Sequence, residues 1–244
     1  MPALRVDGVD ISHHQSGQLD LRAAKRAGVK WLYHKATEGS SIVDSNYDKR
    51  RRECAEAGLP FGAYHFARPD RGDAVQEARF FAATARPKPG DLRPALDLET
   101  TEGLTSTQIR RWAQTWLQEV ERITGVKPVI YTPYDLGTVQ QGHVLWRPRY
   151  NPDNREPEHR WDIFQFSDGR LGRPNQIAGL GHVDLNHMRA GLEVKDLLIP
   201  RPKAERPKKP EPVPEPAPKP TPPRSRVERA RRLLRQALRV LSRR

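Results

Sequence analysis

Through residues 1–200 short runs of alternating or continuous apolar residues recur at 6–11, 30–37, 60–67, 93–99, 127–132, 144–150, 162–167 and 182–188, and each has the length and β-branched or aromatic bias of a strand. Between several of them the apolar period changes to that of a helix, over 20–27, 45–57, 72–84 and 105–124. Thr105 or Ser106 is placed to cap the last of these, and Gly58 and Gly125 stand where a left-handed residue ends a helix. Strand and helix alternating at this spacing predict an α/β fold: a parallel (β/α) barrel of eight strands whose outer ring of helices is incomplete.

The pattern breaks after Ile199. Ten of the twenty-four residues in 201–224 are proline and most of the rest are charged, so this stretch has nothing to bury and is expected to be an extended spacer. In 225–244 the apolar residues Val227, Ala230, Leu234, Ala237, Leu238 and Leu241 return at helical spacing among arginines, which predicts a basic amphipathic helix. Three parts follow: a barrel over 1–200, a Pro-rich linker over 201–224 and the helix over 225–244.

Charge sharpens this division. The chain carries +13, but 1–200 carries only +2, the linker +4 and the last twenty residues +7. A nearly neutral barrel lacks the electrostatic footprint of a nucleic-acid reader, so no specific nucleic-acid partner is expected. A short cationic helix is marginal alone in water and orders when a surface accepts its apolar face; anionic membrane or envelope polymers fit that role, and docking on the barrel or self-association is the alternative. A monomer is expected. The single cysteine, Cys54, excludes an intramolecular disulfide framework. No Cys/His spacing suggests a metal site, and neither metal nor cofactor is expected. The N-terminus enters a strand pattern at once without an apolar stretch of signal-peptide length, and no apolar run reaches membrane-spanning length.

Four acids interrupt the aliphatic strands: Val9-Asp10-Ile11, Leu96-Asp97-Leu98-Glu99 and Val183-Asp184-Leu185. Strand side chains alternate between faces, so aliphatic neighbours packed outward under helices turn Asp10, Asp97, Glu99 and Asp184 inward together. Grouped buried carboxylates cost several kcal/mol unless paired, solvated or protonated, which argues for use, and barrel enzymes assemble their sites at C-terminal strand ends. Asp97 and Glu99, about 6–7 Å apart on one strand face, approach a sugar from the same side. That fits poorly with a nucleophile and an acid on opposite faces of the ring, and better with assistance from the substrate's own acetamido group.

These pieces together resemble glycoside hydrolase family 25, the N-acetylmuramidase lysozymes found among phage endolysins. The resemblance rests on Gly8-Val9-Asp10-Ile11-Ser12-His13-His14-Gln15, Lys35-Ala36-Thr37-Glu38-Gly39, Gly62-Ala63-Tyr64-His65-Phe66-Ala67 and Pro94-Ala95-Leu96-Asp97-Leu98-Glu99, followed by Ile130-Tyr131-Thr132, Leu145-Trp146, Phe164-Gln165-Phe166 and Val183-Asp184-Leu185-Asn186. It implies an eight-stranded barrel with fewer than eight helices and cleavage of the β-1,4 bond between N-acetylmuramic acid and N-acetylglucosamine in bacterial peptidoglycan. It further implies that Glu99 is the general acid and that Asp97 steadies the acetamido group as it forms an oxazolinium. Asp10 and Asp184 then set the surrounding charge, or activate water if the route is inverting.

Tyr64, Tyr131, Trp146, Tyr150 and Gln165 are candidates for a sugar cleft or for ordinary packing, while Trp31 and Trp116 read as packing residues. Lys35 and Glu38 read as a local ion pair or a cleft rim. Two departures from the family pattern stand out: Phe166, where tyrosine is frequent, and Arg147-Pro148-Arg149 after Trp146, an anionic-ligand wall or solvated surface. A catalytically silent wall-binding module and a chitinase-type enzyme are the rival functions. By the same resemblance the protein is expected to be made in the cytoplasm without a signal peptide and to reach the wall by a holin-like route.

Overall fold

The computed structural model describes residues 4–201 and 226–241, with side chains as far as 239 in the second stretch. The chain divides into two units, Met1–Pro202 and Lys203–Arg244. Beyond Arg201, the Pro-rich stretch predicted at 201–224 lies outside the described residues.

In the first unit the elements run β1 (Gly8–Ile11), α1 (Leu21–Arg26), β2 (Trp31–Glu38), β3 (Ile42–Val43), α2 (Tyr47–Ala57), β4 (Phe61–Phe66), α3 (Ala74–Ala85), β5 (Ala95–Asp97), α4 (Ser106–Thr124), β6 (Val129–Tyr131), a 3-10 turn (Gly137–Gln140), β7 (Leu145–Pro148), β8 (Ile163–Asp168), β9 (Asp184–Met188) and α5 (Val194–Leu197). Local chemistry explains the helix limits. Thr105 and Gln108 form a reciprocal capping box on α4, which ends at Gly125 with φ 74°. Asp73 accepts the amides of Val75 and Gln76 to start α3, and Gly58 ends α2 with φ 62°. The buried face of α4, Ile109, Trp112, Ala113, Trp116, Leu117 and Val120, follows the helical period.

The strands close into a barrel in the order β1, β2, β4, β5, β6, β7, β8, β9 and back to β1, with β3 added to β2 as a hairpin. Seven of these eight strands run parallel, whereas β9 is antiparallel to both β8 and β1. This corrects the expectation of an all-parallel barrel with every acid at a C-terminal strand end: Asp184 opens β9, and the reversal brings that start to the end of the barrel where the other strands finish. The α-helical ring is confined to the β1–β6 side; the connections after β6, β7 and β8 contain no α-helix.

Two apolar layers result. Val9, Ile11, Leu96, Leu98, Val183 and Leu185 face outward into the layer shared with α1–α4. Inside, Trp31, Tyr33, Tyr131 and Trp146 fill the barrel edge to face, with Trp31 and Trp146 centroids 6.0 Å apart. Trp116 packs outside, stacked on the His65 ring at 5.4 Å. His65 in turn bonds Thr37 Oγ1 and Glu77 at 2.8 Å, tying β4 to β2 and α3. Cys54 is buried, which pushes its thiol up to about 12.

The aromatic plug requires bare backbone opposite it. A Cβ on Gly8 would lie 2.1 Å from the Trp31 ring. Gly8→Ala is therefore expected to destabilise the barrel by about 1–3 kcal/mol through overpacking, read as a lower midpoint in urea with an unchanged slope.

Candidate active site

Above the aromatic plug the strand ends enclose a cavity of about 240 Å³, lined among others by Asp10, Asp97, Glu99 and Asp184. The four acids predicted to converge therefore do share one cavity. Tyr64, Lys35, Tyr131, Trp146, Tyr150 and Gln165 line it too. Glu38 does not; it stands at the rim, bonded to Lys35 Nζ and to Arg68, whose Nε is 2.9 Å away. Both cations lie over the Phe66 ring, at 4.6 and 4.8 Å from its centroid. A wider groove of about 570 Å³ by Asp20, Arg22, Glu53 and Glu56 opens onto the helical flank, away from these acids.

Two β-bulges decide which side chains face the cavity. In β2 the register shifts between Lys35 and Thr37, so Lys35 and Glu38, three apart, share the mouth while Thr37 turns out to His65. In β8 the shift between Gln165 and Ser167 leaves Gln165 and Asp168 both facing in. Phe166 sits at that bulge and points into the outer core, so its difference from tyrosine does not touch the cleft. Arg147, read from sequence as a ligand wall or solvated surface, is neither: it is buried on the outer side of β7 and donates to backbone carbonyls.

The inner carboxyls form a row across three strands, with Asp10 paired opposite Asp184 and Asp184 opposite Asp168. Asp10 accepts Gln165 Nε2 at 2.8 and 2.9 Å and Asn186 Nδ2 at 2.7 Å. The hydroxyl of Tyr131 donates to the other end of the Gln165 amide at 2.7 Å, and Tyr150 does likewise, so that amide passes from tyrosine donors to the Asp10 acceptor. Trp146 Nε1 donates to Asn186 Oδ1 at 2.7 Å. Burial raises Asp10, partly offset by these amides, to about 6. Burial, then the Asp10 charge and hydrogen bond, push Asp184 up to about 9, so the two carboxyls titrate as one pair that favours sharing a proton.

Asp97 is 8% exposed, and its Oδ1 has no hydrogen-bond partner. Burial and the charges of Glu99 and Asp10 hold its pKa well above the usual carboxylate range. Glu99, beyond the end of β5, is exposed to solvent on one side while the cavity wall desolvates the other; this raises its pKa against the pull of Lys35 and Arg68. Ser12, His14, Phe66, Asp168, Asn186 and Arg68 belong to the site or its rim without having been singled out from sequence. Ser12 and Asn186 had a visible signal: each lies two residues from a predicted acid, Asp10 and Asp184 respectively, and so shares its face by strand alternation.

This barrel, with acids gathered at one end above an aromatic floor, is the architecture of a glycoside hydrolase. The family model for glycosyl hydrolases family 25 matches residues 9–171. The bacterial lysozyme from Streptomyces coelicolor superposes with a TM-score of 0.67 and 28% identity, covering 79% of this chain and 94% of that one. Lysozyme M1 of Streptomyces globisporus is 34% identical over 136 residues, 52% of this chain and 46% of that protein. Uncharacterized protein YegX of Escherichia coli strain K12 is 31% identical over 201 residues, 77% of this chain and 71% of that protein. The chain belongs to glycosyl hydrolases family 25, and it is accordingly a glycoside hydrolase of the lysozyme, or muramidase, type.

The shared proton has a thermodynamic sign. Between its ordinary value of 3.8 and about 9, folded Asp184 keeps a proton that the unfolded chain releases, so rising pH weakens the fold across that window. Asp184→Asn preserves a donor toward Asp10 without titrating. It is expected to raise the melting temperature by about 5 °C at pH 8 and by almost nothing at pH 4, measured by calorimetry at both pH values.

Proposed function

We propose that the enzyme cleaves the β-1,4 bond between N-acetylmuramic acid and N-acetylglucosamine with Glu99 as general acid and Asp97 as the partner of the substrate acetamido group. The observation that carries this reading is the Asp97 carboxyl, which lines the cavity and whose buried Oδ1 has no hydrogen-bond partner. A buried polar atom left unpaired costs about 1–3 kcal/mol, and an acetamido N–H supplies the missing donor.

The chemistry then balances within the substrate and two carboxyls. The acetamido oxygen attacks the anomeric carbon, the glycosidic bond breaks, and Glu99 gives its proton to the departing oxygen. Positive charge grows on the five-membered ring, and Asp97, accepting its N–H, stabilises that charge. Water then attacks the anomeric carbon, returns a proton to Glu99 and reopens the acetamido group with retention. The raised pKa of Glu99 favours the protonated form needed first, and its position at the open mouth suits a leaving group that departs into solvent. Asp10 and Asp184 are not reactants here. Their amide-bonded, singly protonated pair keeps a fixed charge beneath the sugar, while Tyr64, Tyr131, Trp146 and Tyr150 supply ring faces and hydroxyls for it.

The helix α6 (Arg226–Leu241) belongs to a separate function of the same molecule. Its side chains are exposed over 226–239, with Val227, Leu233, Leu234 and Leu238 bare among arginines. This supports a three-part chain, a barrel over 1–200, a spacer over 201–224 and a helix over 225–244 that binds an anionic envelope surface and keeps the monomeric barrel near its substrate.

Glu99→Gln is expected to lower release of reducing ends from purified peptidoglycan by about a thousandfold with little change in melting temperature. Mass spectrometry of wild-type digests should show muramic acid at the new reducing ends. N-acetylglucosamine there, or no cleavage, would displace this reading in favour of a glucosaminidase or chitinase specificity, or of a silent binding module. Truncation after Pro200 is expected to leave hydrolysis of purified peptidoglycan intact while reducing binding to anionic vesicles and lysis of intact cells; equal vesicle binding by both forms would remove the role given to the helix.

A further inference from the structure

The general acid stands where the barrel gives it least support. Strand β5 ends at Asp97, and Leu98 still follows the ladder through its amide to the Tyr131 carbonyl at 2.9 Å, but Glu99 lies beyond it and is exposed. Among the described residues its one tertiary hydrogen bond comes from the Tyr134 hydroxyl to the Glu99 backbone oxygen, at 2.9 Å. Tyr134 itself sits in the connection after β6, on the side where no α-helix covers the barrel.

What steadies that connection is a buried cation. Arg147 points outward from β7, only 2% exposed, and makes no ion pair with a carboxylate among the described residues. Its Nη1 donates to the carbonyls of Thr132, at 2.9 Å, and Tyr134, and its Nη2 to Gln140 Oε1 at 2.6 Å. Gln140 then bonds Asp135 Oδ1 at 2.8 Å, which also accepts the Gly137 amide. A guanidinium buried against neutral acceptors is expensive to desolvate, so it holds those acceptors in one arrangement. The fork of donors does for this segment what a crossover helix does for the others.

We infer that Arg147 and Tyr134 are positioning residues for Glu99: the guanidinium fixes the turn after β6, and the tyrosine hydroxyl, fixed by that turn, sets the backbone from which the acid projects. The inference rests on the assignment of Glu99 as general acid. A small displacement of a proton donor has large kinetic consequences, since a shift near 1 Å costs on the order of a hundredfold. Removing the brace acts on the chemical step and leaves the cavity floor, which Tyr134 does not line, to bind substrate as before.

The test is steady-state kinetics on soluble peptidoglycan fragments across pH 4–8 for Tyr134→Phe, Arg147→Met, Arg147→Lys and Thr101→Val, with melting temperatures recorded. Tyr134→Phe is expected to lower kcat about tenfold to a hundredfold, keep KM within about twofold and move the alkaline limb of the kcat profile, because a wandering carboxyl no longer feels the same wall and cations. Arg147→Met should do the same or fail to fold, and Arg147→Lys should recover part of the rate by reaching the two carbonyls. Thr101→Val, which loses only the 3.3 Å contact to the Tyr134 hydroxyl, should match the parent. In a Glu99→Gln background Tyr134→Phe should cost nothing further. Parental kcat and pH profile in a folded Tyr134→Phe enzyme would overturn the brace, whereas an active Glu99→Gln enzyme would instead overturn the acid assignment.

Discussion

Carboxyl groups brought close together above an apolar floor repel each other and lose water, and the rest of this barrel is arranged around that cost. Five acids, Asp168 among them, are gathered within one cavity whose underside is sealed by Trp31, Tyr33, Tyr131 and Trp146. Without compensation such a cluster would ionise poorly and loosen the strand ends. The compensation comes in two forms. Asp10 receives amide donors from Gln165 and Asn186, and burial beside Asp10 raises the pKa of Asp184, so the pair favours a shared proton over two charges. Asp97 keeps a buried oxygen without a hydrogen-bond partner.

The same economy of charge governs the periphery. Glu38 holds Lys35 and Arg68 together over Phe66, so the two cations reach Glu99 through space without neutralising it by contact. Asp7, at the opposite end of the barrel, shows the contrasting case: surrounded by Arg5, Lys30 and His187, its carboxyl is held well below the usual range although it is equally hidden from water. Burial at both ends is similar. What differs is contact: cationic side chains bond Asp7 directly, whereas Lys35 acts on Asp97 and Glu99 only through space.

Much of this was legible along the chain, and the parts that were not share a physical cause. Alternation located all eight barrel strands and the helical period located α1–α4, because each element buries one face against a partner layer. Alternation is blind to direction, so nothing in Val183-Asp184-Leu185 announced that β9 runs backwards. It also assumes a strict period of two, which hid Asp168 behind the β8 bulge, while Arg147 looked like a surface charge because the carbonyls that bury it come from the connection after β6. The two-residue strand β3 and the single turn α5 are too short to leave a period at all. Arg68 entered the site through a contact between distant segments, information that a linear pattern does not carry.

The bulges at Ala36 and Phe166 have a further meaning for how this mouth tolerates alteration. Each inserts one residue between two cavity-facing groups, so the spacing there is a matter of chain length more than of side-chain identity. Exchanging the bulged side chain for another of similar volume leaves the parity of the strand intact. Deleting it leaves partners that are already consecutive on β4 or β9, so Lys35, Thr37 and Glu38, or Gln165, Ser167 and Asp168, fall into plain alternation with the same groups toward the cavity. A one-codon loss at either point would thus take the kink out of the strand while keeping the rim groups on their side, whereas the loss of a paired neighbour would not.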